Sequence, residues 1–125
     1  MALQETKVKD EDFPTSIFYE IGYDVIFYGQ PSYNGVAIAF KQPIFHQPKL
    51  LEKNIPNFID TQSRLNAGLF EHKKTSKSIR IICVYVPNGS EVGSEKFSYK
   101  LKWLESLIKM IEEEEKIHKK ICILG

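Results

Sequence analysis

Cysteine is scarce in this chain: 125 residues hold two, Cys83 and Cys122, each inside an apolar run. Neither has a second Cys or a His at zinc-ligand spacing. Both read as buried reduced thiols rather than as a disulfide or a metal pair. No apolar run reaches the length of a membrane span. The N-terminus turns polar and acidic after Leu3, so no signal peptide is visible, and the expected compartment is the cytoplasm. There is no internal repeat and no low-complexity linker. Net charge is lacking too: 17 basic and 16 acidic side chains leave +1, which provides no strong global field for a polyanion.

What is present is ordinary for a globular domain, with 42% apolar and 26% charged residues. The length suits one domain around one core. The charges are segregated, however. Residues 1–40 carry two basic and six acidic side chains (−4), residues 41–80 carry eight and three (+5), and residues 81–125 carry seven of each. A basic middle third is compatible with phosphate contact, and a solvated basic loop would look the same.

Leu3 to Thr6 reads as the tail of a strand. Asp12, Phe13 and Pro14 open a short helix that runs through Ile17 and Phe18 and stops near Gly22. Tyr23–Tyr28 and Gly35–Phe40 are strands, separated by a loop from Gly29 to Asn34. Further strand is expected around Ile44–Phe45 and Leu65–Phe70, with a basic turn from Lys73 to Ser78. Ile79–Val86 is apolar almost throughout, which predicts burial on both faces. It breaks at Pro87-Asn88-Gly89. Ser94 is placed to cap a long helix, on which Phe97, Leu101, Leu104, Ile108 and Ile111 recur at steps of four and three and predict the core face. Glu112–Glu115 reads as a solvated end of that helix. Ile121–Leu124 begins another buried strand before Gly125, and both ends of the sequence look cut.

Four segments in order carry a resemblance: Leu3-Gln4-Glu5-Thr6-Lys7, Gly29 to Ile38, Tyr85-Val86-Pro87-Asn88-Gly89, and Lys96-Phe97-Ser98-Tyr99-Lys100-Leu101 with Trp103-Leu104. Each alone is weak, and together they resemble the exonuclease III-type apurinic/apyrimidinic (AP) endonucleases of the endonuclease/exonuclease/phosphatase superfamily. The resemblance covers the whole chain and less than half of a complete member.

It implies an α/β fold, a partial four-layer α/β sandwich, with residues 1–125 forming one incomplete domain. Most strands of one sheet would come from this chain, leaving apolar faces and strand edges open. The family's first strand, with its metal-site asparagine, would precede Leu3. Its Gly-Asp-Phe-Asn segment would begin at Gly125, and its later Asp/His pair would follow.

The implied chemistry is Mg²⁺- or Mn²⁺-dependent phosphodiester hydrolysis in DNA repair, on double-stranded DNA with abasic sites or 3′ ends. Glu5 matches the metal-binding glutamate; a hard cation takes one or two carboxylates with water and phosphate oxygens and stabilises charge at the scissile phosphate. Lys7 stands beside it. Tyr85 and Asn88 match active-site groups near the phosphate. Tyr33, Asn34 and Gly35 match a loop that tracks the DNA backbone, and Arg64 resembles a basic residue on a DNA-facing segment. Pro31 stands where many relatives have a basic residue. Read without the resemblance, Glu5 and Arg64 are surface charges, Tyr85 is a buried phenol and Asn88 a turn residue.

The expectation is therefore a fragment of a DNA-repair phosphodiesterase that is inactive alone. The alternatives are one subunit of a split nuclease, completed by a complementing chain, and a DNA-binding remnant without catalysis. No histidine matches a catalytic position.

Overall fold

A computed structural model describes all residues, 1–125. Seven strands and two helices follow one another as β1 (Ala2–Gln4), α1 (Thr15–Glu20), β2 (Tyr23–Tyr28), β3 (Val36–Lys41), β4 (Lys49–Lys53), β5 (Leu65–Glu71), β6 (Ser78–Val84), α2 (Glu95–Ile117) and β7 (Ile121–Leu124). The strands make two sheets, one ordered β1-β3-β2 and the other β4-β5-β6-β7. All pairs are antiparallel except β6 with β7. Those two run parallel because α2 carries the chain back across the sheet between them.

The side-chain alternation of strands builds the layers. In β3, Val36, Ile38 and Phe40 face the second sheet and pack on Phe70 and Cys83. Ala37 and Ala39 face the other way, under Phe13, Val25, Phe18 and Phe27. Phe13 and Phe27 stack with ring centroids 4.3 Å apart. In β6, Ile82 and Val84 join Leu65, Ala67 and the helix residues Trp103, Leu107 and Met110. Ile79, Ile81 and Cys83 enter the layer between the sheets. Both faces of β6 are thus covered, as its continuous apolar run predicts. The layers are α1, first sheet, second sheet, α2, matching the four-layer α/β class. The chain contributes to both sheets and covers both outer faces, where one sheet was expected.

Three local expectations are corrected. Ile44–Phe45 lies in a turn, with one bridge from Phe45 to His72. The strand of that region is β4, whose exposed, lysine-flanked residues carry no clear apolar alternation because it is a sheet edge. On α2, Leu101 and Ile108 are exposed, while Trp103, Leu107 and Met110 are buried. Leu104 and Ile111 flank both candidate stripes and pack against the core, so the bulk of Trp103 decides the face. Finally, Glu114 is not solvated. Its carboxylate takes Nε and Nη2 of the buried Arg80 at 2.9 and 2.8 Å, and His118 Nε2 lies 3.3 Å away.

Other signals hold. Ser94 Oγ accepts from Phe97 N at 3.1 Å as the α2 cap. α1 ends just before Gly22, whose φ of +81° takes the left-handed turn out of the helix. No helix is long and apolar enough to cross a membrane.

Candidate metal and nucleic-acid site

Gln4 at the end of β1 pairs with Val36 at the start of β3, and Leu65 at the start of β5 pairs with Val84 at the end of β6. The loops leaving these four positions therefore share one end of the sandwich. Gly35 N donates to Ser63 O at 2.8 Å and so ties the loop of one sheet to that of the other. Along this rim stand Glu5, Lys7, Tyr33, Asn34, Gly35, Arg64, Tyr85 and Asn88, every residue that the sequence marks for a site.

The centre of the rim is a contact between residues 80 positions apart. Tyr85 Oη donates to Glu5 Oε1 at 2.6 Å, and Lys7 Nζ lies 3.1 Å from Glu5 Oε2. Each carboxylate oxygen thus has its own partner. The Tyr85 hydrogen bond, then the Lys7 ammonium, hold the Glu5 carboxyl below its ordinary range. The same carboxylate pushes the Tyr85 phenol up. At neutral pH the pair is an anion and a neutral donor.

The backbone around Glu5 is unusual. Glu5 and Lys7 have φ of 54° and 56°, the left-handed region that non-glycine residues seldom occupy. Such strain survives where the surroundings fix it, and it gathers at functional sites. Here the surroundings are the next loop: Thr6 N and Lys7 N donate to Gly35 O and Asn34 O at 3.3 and 2.9 Å. Gly35 itself has φ +94°, and a Cβ there would stand 2.1 Å from Thr6 Oγ1. Only glycine lets the two loops meet this closely.

Asn34 is buried and its Nδ2 donates to Gln30 Oε1 at 3.0 Å. Its side chain holds the loop together, while neighbouring Tyr33 is 72% exposed. Arg64 lies over the Tyr85 ring, 5.0 Å from its centroid. Its Nη1 donates to Tyr85 O at 3.2 Å and its Nε to Gln62 Oε1 at 2.8 Å. Asn88 is exposed, accepts from Ser90 N at 2.9 Å, and lines a shallow groove with Arg64, Gln62, Lys96 and Tyr99.

Gln30, Asp60, Gln62 and Tyr99 were given no role by the sequence reading. Their only prior signal was that Gln30 and Tyr99 lie in the Gly29–Ile38 and Lys96–Leu101 segments, and that Asp60 and Gln62 stand just before Arg64. The histidines stand elsewhere. His72 Nδ1 accepts from Lys74 N at 3.1 Å in the turn at the opposite end of the sheet, and His46 lies 3.9 Å from Glu71.

No group of three or more His, Cys, Asp or Glu side chains gathers as a metal cage. Glu5 offers a single exposed carboxylate. A hard cation such as Mg²⁺ uses one or two carboxylates and completes its shell with water and phosphate oxygens, so Glu5 fits as one ligand and not as a complete site.

No family model matches the chain. It is 33% identical over 127 aligned residues to exodeoxyribonuclease III of Haemophilus influenzae, an alignment covering 100% of the chain and 45% of that protein. Among solved structures it matches the 3′ phosphatase NExo from Neisseria bound to a product DNA hairpin, at 31% identity and TM-score 0.86, covering 99% of the chain and 45% of that one. It matches an AP endonuclease from Archaeoglobus fulgidus at 35% identity and TM-score 0.75, covering 90% and 40%. The chain thus spans less than half the length of the relatives it matches.

Proposed function

Because the chain is homologous along its whole length to part of the exonuclease III-type AP endonucleases, we propose that it carries one side of a metal-dependent DNA phosphodiesterase site. Glu5 would hold the Mg²⁺ or Mn²⁺, which when bound supplies charge stabilisation at the scissile phosphate. Tyr85 keeps its proton and offers a neutral donor to a phosphate oxygen. Lys7 and Arg64 offer cationic donors, and Arg64 can grip phosphate with its planar fork. Asn88 adds a polar contact along the groove. The loop of Tyr33, Asn34 and Gly35 follows the DNA backbone, with Asn34 and Gly35 holding its shape and Tyr33 outward. The substrate is double-stranded DNA with an abasic site or a 3′ end.

The observation that carries this reading is the 2.6 Å Tyr85–Glu5 hydrogen bond. Two segments 80 residues apart, each marked independently by the sequence, meet at one carboxylate. A single carboxylate and its donors fall short of the set of preorganised groups that phosphodiester hydrolysis demands. The 125-residue chain by itself is therefore inactive, and the remaining groups come from further polypeptide.

The test is Mg²⁺-dependent cleavage of a duplex containing one abasic site, by this chain alone and mixed with a chain carrying the rest of a full-length relative. Silence alone with cleavage on mixing is the expected result. Cleavage by the chain alone overturns the proposed inactivity. Silence in both, with no salt-dependent DNA binding, overturns the nuclease reading.

A further inference from the structure

Arg64 sits at the end of an eleven-residue loop, 54–64, between β4 and β5. Loops of this length place side chains poorly unless something closes and pins them. Asn54 closes the neck. Its N donates to Leu65 O at 2.9 Å, its Oδ1 accepts from Arg64 N at 3.4 Å, and its Nδ2 donates to Asp60 O at 3.2 Å.

The middle is pinned from outside the loop. Asp60 Oδ2 accepts from Tyr99 Oη at 2.6 Å, a side chain on the first turns of α2. Asp60 Oδ1 accepts from Gln62 N at 2.9 Å. Gln62 Oε1 in turn accepts from Arg64 Nε at 2.8 Å and lies 3.5 Å from Asn34 Nδ2. Phe58 packs beside Tyr99 with ring centroids 6.2 Å apart.

The geometry points to Asp60 and Tyr99 as positioning residues for Arg64, acting through Gln62. The route is continuous: α2 holds Tyr99, Tyr99 holds one oxygen of Asp60, the other oxygen holds the backbone of Gln62, and the Gln62 amide orients the guanidinium over Tyr85. Arg64 is then held ready for an anion, with less entropy to lose on binding. Both carboxylate oxygens are engaged. Alanine removes both acceptors, whereas asparagine can keep both contacts by accepting from Gln62 N and donating its Nδ2 to Tyr99 Oη, so alanine is the variant that breaks the route. The burial of Tyr99, and after it the Asp60 contact, push the phenol well up, so its donor survives across the working range. This inference rests on the reading of Arg64 as a phosphate-contacting group.

The experiment compares the full 125-residue chain with Asp60→Ala, Tyr99→Phe, Arg64→Ala and Asp60→Ala/Arg64→Ala. Two readouts are taken: the Arg64 Nε–Hε signal by ¹⁵N NMR, and binding of an abasic-site duplex at low salt. Asp60→Ala and Tyr99→Phe are expected to shift the Arg64 signal and speed its solvent exchange, and to weaken DNA binding about tenfold. The double variant is expected to bind no worse than Arg64→Ala alone, because the lost contact acts through the same side chain. An unmoved Arg64 signal, or losses that add in the double variant, overturns the positioning role. A moved signal with Arg64→Ala binding DNA normally upholds the positioning and sinks only the phosphate-contact reading.

Discussion

Tyr85 Oη donates to Glu5 Oε1 at 2.6 Å, joining the end of β6 in one sheet to the end of β1 in the other. The pair makes the rim of the sandwich one electrostatic unit, since each member alters the proton affinity of the other.

Tyr85→Phe removes the largest cause of the lowered Glu5 pKa, leaving only Lys7 and the distant Arg64 to hold it down. The Glu5 carboxyl is therefore expected to titrate at higher pH, read by its ¹³C resonance. The linkage has a definite sign. A folded-state pKa below the unfolded value stabilises the fold above the unfolded pKa, and the effect is lost as pH falls through the lowered value. In wild type the loss lies below 4.5, the ordinary value for this group. Tyr85 runs the other way: its contribution is present below 10.0 and is lost as pH rises through the raised value. Glu5 is exposed and Tyr85 only partly buried, so the stability changes are small and the resonance is the decisive measurement.

Arg80 is 2% exposed and its partner Glu114 14%. The guanidinium meets the carboxylate with two hydrogen bonds and gives Nη1 to Leu50 O. Glu114→Ala strands a buried cation and is expected to cost about 3–5 kcal/mol by urea denaturation. Replacing both partners by apolar residues is expected to cost much less, because no unpaired charge remains.

The buried face of α2 can be tested by two truncations. Trp103→Ala is expected to cost about 3–5 kcal/mol, whereas Leu101→Ala, on the exposed side, stays within about 0.5 kcal/mol. Equal losses in thermal denaturation would falsify the assignment of that face.

Gly35→Ala forces a Cβ towards Thr6 Oγ1 at a φ of +94°. The two rim loops must separate or strain, at a cost of about 1–3 kcal/mol. The Tyr85 and Glu5 resonances are expected to move with the loss of stability, while the Trp103 indole signal, on the far side of the second sheet, stays in place.

Much of this protein is legible in one dimension. Local chemistry marks Tyr23–Tyr28, the doubly buried run of β6, the Ser94 cap and the left-handed glycine after α1, because each depends on neighbours a few residues away. β4 is not legible, since an exposed edge strand makes no demand for alternating apolar residues. Nor is the core face of α2: two apolar stripes share Leu104 and Ile111, and only contact with Leu65, Ala67, Ile82 and Arg80 selects the one with Trp103 and Glu114.

The site divides the same way. The sequence by itself determined the candidate residues, because Glu5, Lys7, Tyr33–Gly35, Arg64, Tyr85 and Asn88 lie in segments whose residue types and order carry the resemblance. Only the tertiary structure decided that Tyr85 serves Glu5, that Asn34 turns inward, and that Asp60, Gln62 and Tyr99 stand behind Arg64. The physical reason is sequence distance. These are side-chain hydrogen bonds between groups up to 80 residues apart, and their partners are chosen by how two sheets and a helix pack, which no local periodicity records.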